Sequence, residues 1–246
     1  MKNIYMNSTL PSFFSFRSSK DLVRVGRNND GGYLVSLSDI KKSDFLIGLG
    51  ISDDWSFESD FTKFNNIEVN AFDGSINLKF FIKRFISELI KNPFNFYILR
   101  KVFSYFYFFR KKNILIQKFI GPKCNDNRYI TLEPILNKKN KKNIFFKIDI
   151  EGSEYRLLDI LIKKSSIISG LVIEFHDCDI HLDKIKNFIK KFSLKLVHVH
   201  ANNFGLIRSK DKLPLVLELT FSKYAKDFNK KLVLPNKLDM PNNKEL

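Results

Sequence analysis

The chain has two cysteines, one tryptophan and no long apolar run, and each scarcity removes a class of protein. Cys124 and Cys178 form neither a CxxC pair nor a disulfide framework, which points to a reducing compartment. Residues 1 to 20 lack the continuous apolar stretch of a signal peptide. No uncharged apolar run approaches the ~18 residues of a spanning helix, so a cytoplasmic location is expected. A full GxGxxG is missing too, which disfavours a diphosphate-bearing dinucleotide as ligand. Acids are in short supply: 26 Asp and Glu face 42 Lys and Arg, a formal net charge of +16. That surplus is mostly Lys, in a chain also rich in Asn, Ile and Phe, a mixture that AT-rich coding favours. Its location is more informative than its size: from Lys79 to Arg128, twelve Lys or Arg stand against two acids.

What is present is organised around Asn143 to Tyr155. Ile144 to Ile150 is an apolar run interrupted only by Lys147 and Asp149, which suits a strand covered on both faces. Gly152 ends it, and Ser153 is placed to cap a helix with Tyr155, Leu158, Leu161 and Ile162 on one face. Strand alternation sends Asp149 and Glu151 the same way, to the carboxyl end where open α/β sheets bind ligands. Two later apolar strands repeat the pattern: Leu171 to His176 ends in Glu174 and His176, and Leu194 to His200 ends in His198 and His200. Polar residues belong at strand ends, but three such pairs together point to a functional rim.

With 246 residues, one α/β domain accommodates the whole chain. Residues 1 to 21 form an N-terminal arm. Leu22 to Val25 and Tyr33 to Val35 read as strands joined across Asn28 to Gly32, where Asp30 and Tyr33 are open to a turn role or a ligand role. Asp44 to Ile51 is a strand running into a glycine turn, Gly48-Leu-Gly50, followed by a helix from Trp55 to about Phe64. Ile67 to Asp73 is the next strand, and its terminal acid stands where βαβ units bind a ribose. These two features together suit a nucleoside-like cofactor without phosphates. Residues 78 to 112 form a basic, aromatic insertion of two helices broken near Asn92-Pro93, with Phe80, Phe81, Phe103, Phe106, Phe108 and Phe109 among Lys and Arg. It is open to three readings: a stripe packed on the core, a membrane-surface helix pair, or a face for a phosphorylated acceptor or nucleic acid. Asn113 to Ile120 is a further strand, Leu213 to Thr220 a closing strand and hairpin partner, and residues 226 to 246 a polar tail laid on the surface.

Lys147-Ile-Asp-Ile-Glu-Gly-Ser-Glu154, with Thr131-Leu132 before it and Leu171-Val-Ile-Glu-Phe-His176 after it, resembles the FkbM-type S-adenosylmethionine-dependent methyltransferases. Gly48-Leu-Gly-Ile-Ser-Asp-Asp-Trp-Ser-Phe-Glu58 and Asp30-Gly-Gly-Tyr33 resemble the methyltransferase-like branch of that family. The resemblance covers roughly residues 22 to 222. It implies a Rossmann-like class I methyltransferase sheet, α/β and mostly parallel, with a terminal antiparallel hairpin and the 78 to 112 insertion outside it. It also implies S-adenosyl-L-methionine held by Gly48, Gly50 and Asp73, with Asp149 and Glu151 flanking the methionine end or the acceptor. The family's acid before the glycines is replaced here by Ile47, and Asp53 or Asp54 stands as its substitute. In the family's strand order the last strand enters beside the Glu174/His176 strand and moves His198 and His200 away.

The expected activity is O-methylation of a sugar or nucleotide-sugar in surface polysaccharide biosynthesis. His176 is the first choice as general base, with Asp149 and Glu151 completing the catalytic set. Asp149, Glu174, His176 and His200 are also a donor set of the kind that holds a divalent metal. Two alternatives stand beside this: a non-catalytic module binding membranes or polyanions through residues 78 to 112, on the cytoplasmic face, and an RNA methyltransferase. No aromatic-Pro motif of the base-modifying enzymes follows the central strand, so nucleic acid is expected to be an unlikely partner.

Overall fold

The computed structural model describes residues 8–91, 97–138, 142–226, 228 and 234–244. β1 (Leu22–Val25) pairs antiparallel with β2 (Tyr33–Ser36). The chain continues through α1 (Leu37–Lys42), β3 (Phe45–Leu49), α2 (Ser56–Phe64) and β4 (Glu68–Phe72). The insertion supplies α3 (Leu78–Lys91) and α4 (Tyr97–Phe108), and the expected break at Asn92-Pro93 lies outside the described residues. Then come β5 (Asn113–Ile116), the short parallel pair β6 (Phe119–Ile120) and β7 (Tyr129–Ile130), α5 (Leu132–Lys138) and β8 (Ile144–Ile148). α6 (Leu158–Lys163), β9 (Ile168–Phe175), α7 (Cys178–Lys191), β10 (Lys195–Ala201) and β11 (Leu217–Ser222) complete the domain.

Seven strands form one sheet in the order β10-β11-β9-β8-β3-β4-β5. Pairings from β9 through β8, β3 and β4 to β5 are parallel, whereas β11 runs antiparallel to both β9 and β10. This is the expected Rossmann-like class I methyltransferase arrangement, with the reversed strand inserted beside β9. Every residue of β3, β8 and β9 is buried, because helices cover both faces and no water-facing side exists to select alternation.

Successive side chains feed two cores. Phe45, Ile47 and Leu49 join Phe146, Ile148, Leu171 and Ile173 on the face covered by α5, α6 and α7. Leu46, Val69, Phe145 and Val172 join Phe57 and Phe61 of α2, Ile40 of α1 and Tyr33 of β2 on the other. The N-terminal arm is more than an arm: Phe14 and Phe16 are buried in the first core.

The insertion is anchored through Trp55, whose ring makes edge contacts with Phe81, Tyr105 and Phe109 at centroid distances of 6.2, 5.8 and 5.9 Å. Phe81 and Phe108 are buried there, but Phe103, Phe106 and Tyr107 face solvent. No helix among the described residues is long and apolar enough to cross a membrane.

Candidate functional site

The carboxyl ends of β3, β4 and β8 are knitted together by backbone. Gly50 N–H donates to Phe72 O at 2.9 Å, and Asp149 N–H donates to Leu49 O at 3.0 Å. Gly50 has φ +71°, and a Cβ there would collide with the Asp149 carbonyl, so only glycine makes this bend. Asp73, just past β4, accepts Ser52 N–H at 2.8 Å on Oδ2, and Ser75 N–H and hydroxyl on Oδ1. An ionised carboxylate has about four lone-pair sites. Three are thus used to shape the turn, and one is left for a ligand.

Across the bend from Asp73 lies a ledge of acids. Asp149 and Glu174 both approach the Tyr33 hydroxyl, whose oxygen is 3.1 Å from Asp149 Oδ2 and 3.1 Å from Glu174 Oε2. Asn202 donates to Glu174 Oε1 at 2.9 Å, and Lys147 Nζ donates to Gly50 O at 2.6 Å and lies 3.3 Å from Asp149 Oδ2. Burial first, then the charges of Asp149 and Glu218, push Glu174 up to about 9. Both carboxylates accept from the one Tyr33 hydroxyl, which is placed to donate to either. Burial opposes the charge on Lys147, but Asp149, Glu58 and Glu174 outweigh it and raise its pKa.

His176 completes the ledge, with its donor atom within 4.8 Å of those of Asp149 and Glu174. Its main partner is Glu154, whose Oε1 lies 3.0 Å from Nδ1 and also accepts Ile150 and Gly152 N–H at 3.1 Å. Glu151 does not share the face of Asp149 as strand alternation implied. β8 ends at Ile148, Glu151 takes φ +52°, and its side chain is 86% exposed with Oε2 3.3 Å from His176 Nε2. Ser153 makes no cap; the following turn is 3-10, and the buried Glu154 carboxylate binds the free amides instead. Burial works to lower the His176 pKa, and the Glu154 bond with the Glu154, Glu174 and Asp149 charges overrides it, holding it at about 9.

The remaining predicted residues lie around this ledge rather than on it. Asp53 is bound by Lys101 at 2.6 Å and by Arg84, which ties the insertion to the glycine turn. Asp54 pairs with Arg27 at 2.9 Å and caps Ser56 N–H at 3.0 Å. Gly48 is a packing glycine, since a Cβ there would strike the Glu58 carboxylate. Glu58, from α2, is the buried acid beneath the turn. Neither of its oxygens has a hydrogen-bond partner, and burial pushes it to about 7 while Lys147 pulls the other way.

His200 stands apart from the Asp149, Glu174 and His176 group. In register the row runs His200, Glu218, Glu174, so β11 separates the two imidazole sites. His198 and His200 meet Asp239 instead. The tail is not laid on the surface here: the Asp239 side chain is only 6% exposed, Asn242 is buried, and Asn242 Nδ2 donates to Glu218 Oε1 at 2.7 Å and Asp30 Oδ1 at 3.3 Å. The expected four-residue metal set is therefore not assembled. Its first three members are engaged by Tyr33, Asn202 and Glu154, with the Lys147 ammonium beside them.

Sequence reasoning missed Glu58, Glu154, Asn202, Asp239 and Asn242. Lys147 was visible as an ionisable residue inside an apolar strand, and Glu154 as an acid placed to reach back over the Gly152 turn. Nothing local marks the tail residues.

No family model and no curated protein matches the chain. Solved structures do. Precorrin-6y C5,15-methyltransferase of Geobacter metallireducens GS-15 is 13% identical over 76% of this chain and 86% of its own, at a TM-score of 0.39. An rRNA methylase of Streptococcus thermophilus is 10% identical over 76% and 92%, at 0.40. TYW2 of M. jannaschii, solved with AdoMet, is 9% identical over 84% and 89%, at 0.34. Similarity at this level concerns the fold alone, the Rossmann-like class I methyltransferase fold. It does correct the expectation that nucleic acid is an unlikely partner, since an rRNA methylase is among the proteins built this way.

Proposed function

We propose that this chain is an S-adenosylmethionine-dependent O-methyltransferase whose acceptor is a hydroxyl of RNA. The observation that carries the reading is the surplus of acid beside the glycine bend. Asp149, Glu174 and Glu218 crowd one another enough to raise the Glu174 pKa, and a positive charge placed among them would relieve that repulsion. The residues fit the cofactor: Asp73 retains one acceptor site for a ribose hydroxyl, Gly50 brings backbone close, and the ledge suits the ammonium and sulfonium charges. When bound, the cofactor supplies an electrophilic methyl group. The chain positions the acceptor oxygen, and His176 Nε2 receives its proton, with Glu154 orienting the ring and Glu151 at the mouth. The FkbM-type motif supports a hydroxyl as the acceptor atom.

The insertion supports RNA. It is joined to the glycine turn through Asp53 and Trp55. Phe103 and Tyr107 are about 70% exposed there, and the Arg110 guanidinium sits 4.1 Å from the Tyr107 ring centroid. Exposed rings among cations are what unpaired bases stack upon.

The test is transfer of a labelled methyl group from S-adenosylmethionine to total RNA and, in parallel, to nucleotide-sugars, with calorimetric titration of the cofactor. Saturable cofactor binding, weakened at least tenfold by Asp73→Asn, and label in RNA are expected. Absence of cofactor binding sinks the methyltransferase reading. Label in nucleotide-sugars alone sinks the RNA acceptor and leaves methyl transfer standing.

A further inference from the structure

The second imidazole cluster, at the far end of the rim, plays no part in the proposed reaction. His198 and His200 project from one face of β10 with rings nearly parallel and centroids 6.5 Å apart, and Asp239 from the carboxyl-terminal segment enters between them. Asp239 Oδ1 lies 2.9 Å from His198 Nε2, and Oδ2 lies 3.6 Å from His200 Nδ1.

Two details leave ligand atoms of this cluster without a well-aligned hydrogen bond. The His198 side chain is 3% exposed, yet neither ring nitrogen has a hydrogen-bond partner; Nε2 is near Asp239 without being aligned to it. Leaving a buried polar atom unmatched is costly. The tautomer of His200 is also fixed from outside. Asn242 gives its amide protons to Glu218 and Asp30, so its Oδ1, 2.9 Å from His200 Nε2, must accept, and Nε2 carries the proton. In the neutral ring Nδ1 is then a bare lone pair turned toward Asp239, too far for a hydrogen bond at 3.6 Å. An outer carbonyl that takes the far N–H is the usual second partner of a metal-binding imidazole. Each of the three residues offers a ligand atom, and these atoms lie within 4.8 Å of one another.

We infer that His198, His200 and Asp239 bind a first-row divalent transition cation, zinc foremost, which ties the carboxyl-terminal segment to β10. Two imidazoles and one carboxylate select such an ion over magnesium or calcium, which prefer oxygen. Asn236 N–H donates to Asp239 Oδ2 at 2.7 Å and holds the carboxylate in place. The site is independent of the methyl-transfer reading.

The full chain, stripped with EDTA and titrated with Zn2+ against a chromophoric chelator, is expected to bind one equivalent, and Mg2+ none. Asp239→Asn, which preserves shape, weakens Zn2+ binding by on the order of 100-fold, as does His198→Asn, whereas His176→Asn leaves it unchanged. Zn2+ also slows proteolytic cleavage within residues 234–244 of the wild type and has no such effect on Asp239→Asn. If His198→Asn does not fold, Asp239→Asn decides. Absence of saturable Zn2+ uptake, uptake that survives Asp239→Asn, or uptake lost in His176→Asn overturns the inference.

Discussion

Glu154 Oε1 lies 3.0 Å from His176 Nδ1, and the same oxygen binds two backbone amides of the turn that carries Glu151. One buried carboxylate thereby sets both the shape of the turn and the charge of the imidazole.

The protonation of His176 follows from this contact. Its pKa stands at about 9 against an ordinary 6.5, a raised value. The stability it contributes is therefore complete below about 6.5 and is lost as pH rises through about 9. An NMR titration of the imidazole should place the wild-type midpoint near 9 and move it toward 6.5 in Glu154→Gln. That variant should also lose roughly 3 kcal/mol of stability, because it weakens a buried charged network. As proposed base, His176 should make the methyl-transfer rate climb up to about pH 9 and level off above it.

Glu174 gives the opposite kind of test. Its carboxyl is raised to about 9 by burial and by Asp149 and Glu218, so ionising it costs folding free energy that increases with pH up to that value. Glu174→Gln resembles the protonated form and keeps partners for Asn202 and Tyr33. Its melting temperature should exceed that of the wild type, by a margin that widens from pH 5 to pH 9. Its affinity for the cationic cofactor should match that of the wild type near pH 7 and fall below it only as pH rises through about 9, as calorimetry would show.

Two glycines distinguish close approach from backbone conformation. Gly50→Ala meets both a positive φ and the Asp149 carbonyl, whereas Gly152→Ala meets a φ of +91° with only Asp177 Oδ2 nearby, at 4.0 Å. Denaturant midpoints should show a loss of about 1–3 kcal/mol for Gly152→Ala. Gly50→Ala should lose more than that, or fail to fold.

The insertion predicts a salt signature. Replacing exposed Arg100, Arg110 and Lys111 together by Ser should weaken RNA binding at low salt. The slope of log affinity against log salt should shrink by about 2, the share of three phosphate contacts to a single strand. An unchanged slope in filter binding would remove this face from the RNA path.

Much of this fold was legible because its central strands are apolar enough to announce burial on both faces, and because Gly50, Asp73 and Asp149 mark strand ends by residue type alone. The order of the sheet was not written in those patterns and came with the family resemblance. Two other errors share a cause. Glu151 was assigned by extending strand alternation past Ile148, where the backbone had already turned through a positive φ. Polarity alone places the tail on the surface, but Asp239 and Asn242 are polar because they serve His198, His200 and Glu218, far from them in sequence. Periodicity reports which side of an element is buried; it says nothing about a polar residue whose partner lies on another strand.

The reversed direction of β11 has a consequence for chain length. Leu217 starts opposite Phe175 at the site end, and Ser222 finishes opposite Gly170 at the other, so the polypeptide leaves the sheet about 14 Å from the level of Glu174. It must then double back over that whole height before Asp239 and Asn242 reach their places. Asp239 therefore meets the histidines from a segment outside the sheet, and removing that segment would strip the imidazoles of their carboxylate while leaving every strand intact.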